Sequence, residues 1–451
     1  MFSNTKSTRK RFVIVFLLFV TVMINYIDRA NMSIAAPSLM HDFGISNSQL
    51  GWVFSSWSWC YALFQLPGGW LADRIKPKIL VSLIVLFWSI ATCLLGFAST
   101  FFVILGLRCL IGLFEAPSYP INSRVVTTWI PDAERATAIA IYTSAQFVGL
   151  AFLVPVLAWI LSEYGWHEVF FVTGTIGILW ALVWYLMYHE PKEYPGINAS
   201  EITLLEQGGA IPHLQQKLEQ QQGKKNKFTF SWADLKYIAT RRKIIGLCLG
   251  QFGLGSTTIF FLTWFPTYLV EYKGMSFIKA GFAASIPFIF GFIGVICSGV
   301  LSDYLLRRGC TLGVARKTPI ITGLLLSTTI IGADFVDSQV WVIFFMTIAF
   351  FATGFASITW SLMTSISPER LIGMSGGFFN FIGGLAGIVI PLAIGYLTEG
   401  KSFTSALTLI CCMTFMGAFS YIFLVGKVER IPDRPDYQLL PQTDELPLSQ
   451  K

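Results

Sequence analysis

Charge is what this sequence of 451 residues has least of: Asp, Glu, Lys and Arg together make up 13% of it. A water-soluble chain of this length carries nearer a quarter, so this one could not cover a solvated surface, and lipid must be its solvent. Metal-ligand spacing is missing too. Seven of the eight cysteines (Cys60, Cys93, Cys109, Cys248, Cys297, Cys411, Cys412) fall inside apolar runs, Cys310 lies in a basic loop, and no CxxC pair occurs. They read as small apolar fillers. No G-x-x-x-x-G-K-[ST] loop is present, which argues against an ATP-driven pump, and no nucleophile elbow or metal motif points to an enzyme. No cofactor is expected.

What is there is apolar: 54% of residues are hydrophobic and the mean hydropathy is +0.63. A bilayer core takes about 20 residues of helix to cross. Candidate spans lie at 12–37, 48–71, 79–98, 101–123, 135–161, 168–188, 244–270, 279–302, 318–335, 339–363, 371–397 and 403–425. The expected fold is therefore an all-α membrane protein of twelve transmembrane helices. Its parts are an N-terminal six-helix bundle (1–188), a polar linker (189–242) with short surface helices near Ser200–Glu206 and Ser231–Ile238, a second bundle (243–426) and a disordered tail (427–451). The first apolar run continues past residue 24 without a clear stop, so it reads as a retained helix rather than a secretory signal.

The net charge of +7 resides in short basic clusters, not in a nucleic-acid-binding face. Lys6, Arg9, Lys10 and Arg11, then Arg74, Lys76 and Lys78, then Arg135, then Arg307, Arg308, Arg316 and Lys317 all fall on one side of the expected topology. The opposite loops hold Lys273, Lys279 and Lys401. The positive-inside rule then places both termini in the cytoplasm of an inner-membrane protein. Asn198-Ala-Ser200 matches a glycosylation sequon, but that side argues for coincidence.

An internal echo divides the chain in two. Gly69-Trp-Leu-Ala-Asp73-Arg74 after span 2 recurs as Gly299-Val-Leu-Ser-Asp303-Tyr304 after span 8, and Pro131-Asp-Ala-Glu134-Arg135 is echoed by Pro368-Glu369-Arg370. Two related bundles around a central cavity are the plan of a rocking transporter. Gly69–Lys78 resembles the signature loop of the major facilitator superfamily, with Lys76 where the pattern has glycine, and Arg108-Cys-Leu-Ile-Gly112 resembles its fourth-helix motif. The fifth-helix motif of drug antiporters is absent. Tyr26-Ile-Asp28-Arg29-Ala-Asn31, Phe114-Glu115-Ala-Pro117, Tyr142-Thr-Ser-Ala-Gln146, and Trp360 with Asn380 resemble the anion:cation symporter family, and within it the galactonate-type sugar-acid transporters.

Ionisable residues at bilayer depth cost about 2.5–3.5 kcal/mol each on insertion scales, so the few present are functional candidates. Asp28 and Arg29 sit in span 1, and Arg108 and Glu115 in span 4; the second half has none deep in a span. Arg108, Glu115 and Asn122 recur every seven residues, one stripe of a helix at steps of about 10 Å. Pro117 and Pro120 should loosen that helix beyond Glu115. Asn25 and Arg29 share a face, as do Trp57, Tyr61 and Gln65. With both acids ionised, the four charges cancel. Protonating one acid frees an arginine, whose guanidinium grips a carboxylate in bidentate fashion. The competing reading is a structural ion-pair network, which apolar packing would usually serve better.

The resemblance implies the same roles: proton coupling at Asp28 and Glu115, and substrate binding at Arg29. Tyr26, Tyr61, Arg108 and Gln146 complete the substrate site in the first half. In the second half Gln251, Ser357, Trp360 and Asn380 offer hydrogen bonds and an indole platform to a hydroxyl-rich substrate. Asp73, Arg74 and Asp303 are the expected gate residues at a membrane boundary. The resulting expectation is a monomeric proton-coupled importer of an organic anion such as a sugar acid. A passive facilitator, a sodium-coupled carrier and a membrane sensor are the alternatives.

Overall fold

The computed structural model describes residues 7–212, 232–400 and 402–434, and the side chains of residues 66, 73, 136, 370 and 373 are not among those described. The expected disorder of the tail from residue 435 onward lies outside the described residues. Water-free hydrocarbon leaves backbone N–H and C=O groups no partner except one another, and every regular element among the described residues is helical. The first half comprises α1 (Lys10–Phe43), α2 (Asn47–Arg74), α3 (Pro77–Leu95), α4 (Phe101–Trp129), α5 (Asp132–Tyr164) and α6 (Trp166–Met187). The second comprises α7 (Arg242–Thr263), α8 (Phe277–Arg307), α9 (Leu312–Ser327), α10 (Gln339–Ile366), α11 (Met374–Leu397) and α12 (Thr404–Phe423). Ten of these are long and apolar enough to span a bilayer by composition. The other two are α2, diluted by Gln49, Gln65 and Arg74, and α9, whose 16 regular residues continue in the 3₁₀ stretch Thr328–Asp334.

Local sequence fixes the helix ends. Ser46 and Gln49 form a capping box at the start of α2, Thr100 and Thr311 cap α4 and α9, and Pro77 occupies the first turn of α3. Inside α4 the helix breaks at Ala116–Pro117, where the paired prolines predict it. Inside α10 it breaks around Ala356–Ile358, next to Gly354. Two short linker helices, Ala199–Gln207 and Trp232–Ala239, lie close to where they are expected.

The two halves meet along an antiparallel seam of α2 and α11. The Asn47 amide donates to Tyr272 Oη (2.8 Å) and to the Thr398 carbonyl (2.9 Å), and Trp52 Nε1 donates to Tyr396 Oη (3.2 Å). Gly51 lies so close to α11 that a Cβ there would come within 2.6 Å of the Pro391 carbonyl oxygen. Phe54 packs edge-on against Trp264 (5.5 Å), and Ser58 fills the space in front of Gly387. On the other flank, α5 meets α8 from Ala158–Gly281 to Phe147–Phe292 at mid-depth. These contacts close the end of the molecule that carries the α1–α2 and α7–α8 connections. Among the described residues, no hydrogen bond or ion pair joins the two halves at the end that carries both chain termini, which leaves that end open.

At that open end, charge organises the helix boundaries. Arg11 is held by Glu134 (Nε to Oε2, 2.8 Å) and by Glu201 (Nη1 to Oε1, 3.3 Å). Glu201 also accepts from the backbone N–H groups of Lys10 and Arg11 (3.1 Å each), so a linker residue caps α1. Asn198 caps its own helix through Glu201 N and accepts from Thr8 N (3.2 Å), so the sequon asparagine is an engaged structural residue. Arg124 donates to the carbonyls of Ala72 and Ile75 at the α2–α3 turn. Beyond the end of α6, burial pushes the Glu190 carboxyl up to about 7, opposed by Arg124 and reinforced by Glu193.

Two outcomes follow. A valine at position 51 cannot fit against Pro391, so Gly51→Val should splay the α2–α11 seam. A cysteine at position 47 in that background should then react with an impermeant thiol reagent faster than the same cysteine beside Gly51; equal rates would refute the close approach. For Glu190, an acid whose native proton affinity exceeds its unfolded value binds extra protons when folded, so its contribution to stability falls as pH rises from about 4.5 to about 7. Glu190→Gln should therefore melt above the wild type at pH 8 in detergent, with the gap closing by pH 5.

Candidate functional site

Glu115 is the last residue of the first segment of α4, immediately before the Ala116–Pro117 break. Its side chain is 0% exposed. One carboxylate oxygen, Oε2, accepts from Arg29 Nε of α1 (3.3 Å) and from Trp57 Nε1 of α2 (3.1 Å). The other oxygen has no hydrogen-bond partner, and neither has Arg29 Nη2. The Arg29 guanidinium lies over the rings of Trp57 (4.2 Å), Tyr26 (4.8 Å) and Tyr61 (5.4 Å). Cation–π contacts contribute about 0.5–2 kcal/mol each, most where water is excluded. Trp57 and Tyr61 stack at 4.6 Å, and Tyr26 Oη meets Tyr119 Oη at 3.2 Å.

Arg108 lies two turns before Glu115 on the same face. It is 3% exposed, and its Nε and Nη1 have no hydrogen-bond partner. Asp28, 1% exposed, receives Asn31 Nδ2 at 3.5 Å on one oxygen and no partner on the other. The structure thus brings Asp28, Arg108 and Glu115, all buried, together with the partly exposed Arg29, and Arg29–Glu115 is the only ion pair among the four. Gly112 lets α4 press against the carbonyl of Trp57, which places that indole at the carboxylate.

The second half contributes neutral groups. Gln251 Oε1 accepts from Thr359 Oγ1 (2.9 Å), joining α7 to α10, and Gly383 makes room for the Gln251 side chain on α11. Trp360, 45% exposed, meets Phe379 edge-on at 5.2 Å. Trp360, Thr364, Gly377 and Asn380 line an open groove of about 330 Å³. Ser357 is half-buried at the α10 break, and Gln146 is half-buried on α5 without a hydrogen-bond partner among the described residues. Asn380 stands two turns from Gly387 on α11, and Tyr61 one turn from Trp57 on α2. The polar and charged clusters therefore flank the space just beyond the Ser58–Gly387 contact.

Among the described residues, no ion pair joins Arg74 to Asp303. Arg74 stacks on Trp70 of its own helix (4.2 Å), Asp303 is exposed without an ion pair among the described residues, and the Asp73 side chain lies outside the described residues. An open end is where gate contacts would be apart. Sequence reading left Tyr119, Asn31, Thr173 and Thr359 out of the site and gave Trp57 no role in it. Tyr119 stands four residues after Glu115 and Asn31 three after Asp28, so helical spacing carried a signal for both; nothing local marks Thr359.

The chain was compared with known proteins. A family model described as Major Facilitator Superfamily matches residues 18–391. The D-galactonate transporter of Escherichia coli O6:H1 is 46% identical, the match covering 94% of this chain and 98% of that one. The probable galactarate/D-glucarate transporter GudP of Bacillus subtilis (strain 168) is 41% identical, with 94% of each chain covered. Among solved structures, a D-xylose-proton symporter superposes with a TM-score of 0.69 at 16% identity, over 92% of this chain and 98% of that one; at that identity the likeness speaks for the fold. Family match, relatives and architecture agree that this chain is a multi-pass membrane transporter, not an enzyme, and that it belongs to the major facilitator superfamily.

Proposed function

We propose that this protein imports a sugar acid, D-galactonate or a close relative, across the bacterial inner membrane by proton symport with alternating access. In this reading both termini are cytoplasmic, the protein works as a monomer, and no nucleic acid is involved. The observation that carries it is the Arg29–Glu115 pair. A fully buried carboxylate shares one oxygen between an arginine and an indole, while the arginine keeps a free Nη2. With Asp28 and Glu115 ionised, the four charges cancel. A proton on Glu115 leaves Arg29 without its counter-ion, held among Tyr26, Trp57 and Tyr61, and a substrate carboxylate restores neutrality. Proton and anion then bind together or not at all.

The neutral half supports the same substrate class. Gln251, Ser357, Trp360 and Asn380, with Gln146 across the cavity, are amides, a hydroxyl and an indole, suited to a chain of carbon-bound hydroxyls. Arg108 supplies a second buried cation that holds the site's net charge after protonation. Asp73, Arg74 and Asp303 close the open end in the opposite state. The named activities of the two relatives support sugar acids over other organic anions.

The test is uptake by proteoliposomes of labelled D-galactonate, galactarate and D-glucarate, with an inward proton gradient imposed or absent and sodium varied separately. Accumulation of at least one substrate should require the proton gradient. Accumulation driven by sodium at fixed pH, or none at all, would overturn the reading. Glu115→Gln should keep substrate counterflow while losing gradient-driven accumulation. Arg29→Lys should lower uptake efficiency about tenfold to a hundredfold, the range for one hydrogen bond to a charged group, mainly through a weaker apparent affinity.

A further inference from the structure

Behind the Arg29–Glu115 pair, α1, α3 and α6 enclose a group of polar side chains of which the proposed cycle uses only Asp28. α1 contributes Asp28 and Asn31, α3 contributes Trp88, Ser89 and Thr92, and α6 contributes Thr173; all are buried. Five atoms there have no hydrogen bond of normal length: Asn31 Oδ1, Ser89 Oγ and Thr92 Oγ1, and Asp28 Oδ2 and Trp88 Nε1, whose indole approaches the Asp28 carboxylate. One orphaned buried polar group costs about 1–3 kcal/mol, and native proteins seldom leave even one without cause. Five on two helices that both pack against α6, two of them acceptors, one a donor and two hydroxyls able to do either, match the lining of a water-holding chamber. Gly174 and Gly177 let α6 lie directly against Cys93 and Ser89 of α3, so the chamber is closed on that side.

Within it, one hydrogen-bond chain has a fixed direction. Thr173 Oγ1 donates to the Val169 carbonyl (2.9 Å), which turns its lone pair toward Asn31. Asn31 Nδ2 donates to that lone pair (3.1 Å) and, through the same nitrogen, to Asp28 Oδ1 (3.5 Å). The brace therefore commits the amide to present N–H, not C=O, to the carboxylate. Such a contact favours the ionised acid. The charged and titratable groups facing Asp28 are Arg108 and Glu115 from α4 and Cys93 from α3, while α6 presents the hydroxyl of Thr173.

We propose that Asn31, braced by Thr173, is a positioning residue that sets when Asp28 takes up and releases its proton, and that the chamber between α1, α3 and α6 holds the water through which that proton moves. This rests on the proton-symport reading. It adds to it a place, remote from the substrate, where coupling can be tuned without touching substrate contacts.

The experiment uses the full-length protein in proteoliposomes, with proton-driven uptake followed from pH 5 to pH 9. Asn31→Ala removes the donor to ionised Asp28, so the pH of half-maximal uptake should move up by about one unit, the equivalent of one such hydrogen bond. Thr173→Val, nearly isosteric, should move it the same way by less, with the substrate KM unchanged in both. Infrared difference spectra supply an independent readout. The protonated-carboxyl band that Asp28→Asn deletes should change frequency in Asn31→Ala and in Thr92→Val. If Asn31→Ala does not fold, Thr173→Val and Thr92→Val carry the test alone. An unchanged pH profile and an unmoved band in folded variants would overturn the proposal. So would a profile in the wild type that follows sodium rather than pH, which would make the chamber a cation site. If Asp28→Asn itself retains full gradient-driven accumulation, Asp28 carries no coupling proton and the proposal falls, while the symport reading, which rests on Arg29–Glu115, fails only if the wild type shows no proton-driven accumulation.

Discussion

Hydrocarbon gives a charge nothing to bond to, and the architecture of this transporter is arranged around the few charges it nevertheless contains. Glu115 can be wholly buried because Arg29 and Trp57 both reach one of its oxygens, and they can do so because α1, α2 and α4 pack close at that depth. Gly112 lets α4 touch α2, and the break at Ala116–Pro117 ends the rigid part of α4 at the carboxylate itself. A side chain at position 112 would push α4 off α2 and draw the Trp57 indole away from the carboxylate.

The same constraint accounts for the division of labour between the halves. Concentrating the charges on α1 and α4 lets them compensate one another over short distances, whereas a charge on α7, α10 or α11 would need a partner across a cavity that opens and closes. The second half therefore carries groups that are cheap to expose and cheap to bury: the Gln251 amide tied to Thr359, the Trp360 indole, the Asn380 amide. Where the halves do touch, the contacts are short and apolar or single hydrogen bonds, as at Gly51–Pro391, Phe54–Trp264 and Asn47–Thr398. Such a seam is weak enough to part.

Much of this was legible in the residue order, because bilayer depth is written in hydropathy and helix faces in spacing. The spans, the two-part plan, the stripe of Arg108 and Glu115 and the break beyond Glu115 all followed from local pattern. Some span ends were read short and others long: α1 runs to Phe43 and α4 to Trp129 because helix continues into the boundary layer where hydropathy has already fallen, whereas α7 stops at Thr263, before Pro266. Pairings were out of reach. No spacing says that Arg29 rather than Arg108 holds Glu115, that Trp57 donates to it, or that Asn31 faces α6 instead of the cavity, since these depend on the rotation of one helix against another. Thr359 was invisible for the same reason, being one hydroxyl among many in its span.

The attachment of Glu201 to the start of α1 has a mechanical consequence. The linker's first helix is fastened to the first half by Arg11, Lys10 and Thr8, so it must travel with that half. The attachment continues past that helix, because Gly208 and Ile211 are tied to Asp132 N and the Thr127 carbonyl at the α4–α5 corner, so the first half carries the connection as far as residue 211. Any tilt of the halves therefore moves this stretch and α1 as one piece, and the ion pairs of Arg11 are not broken by it.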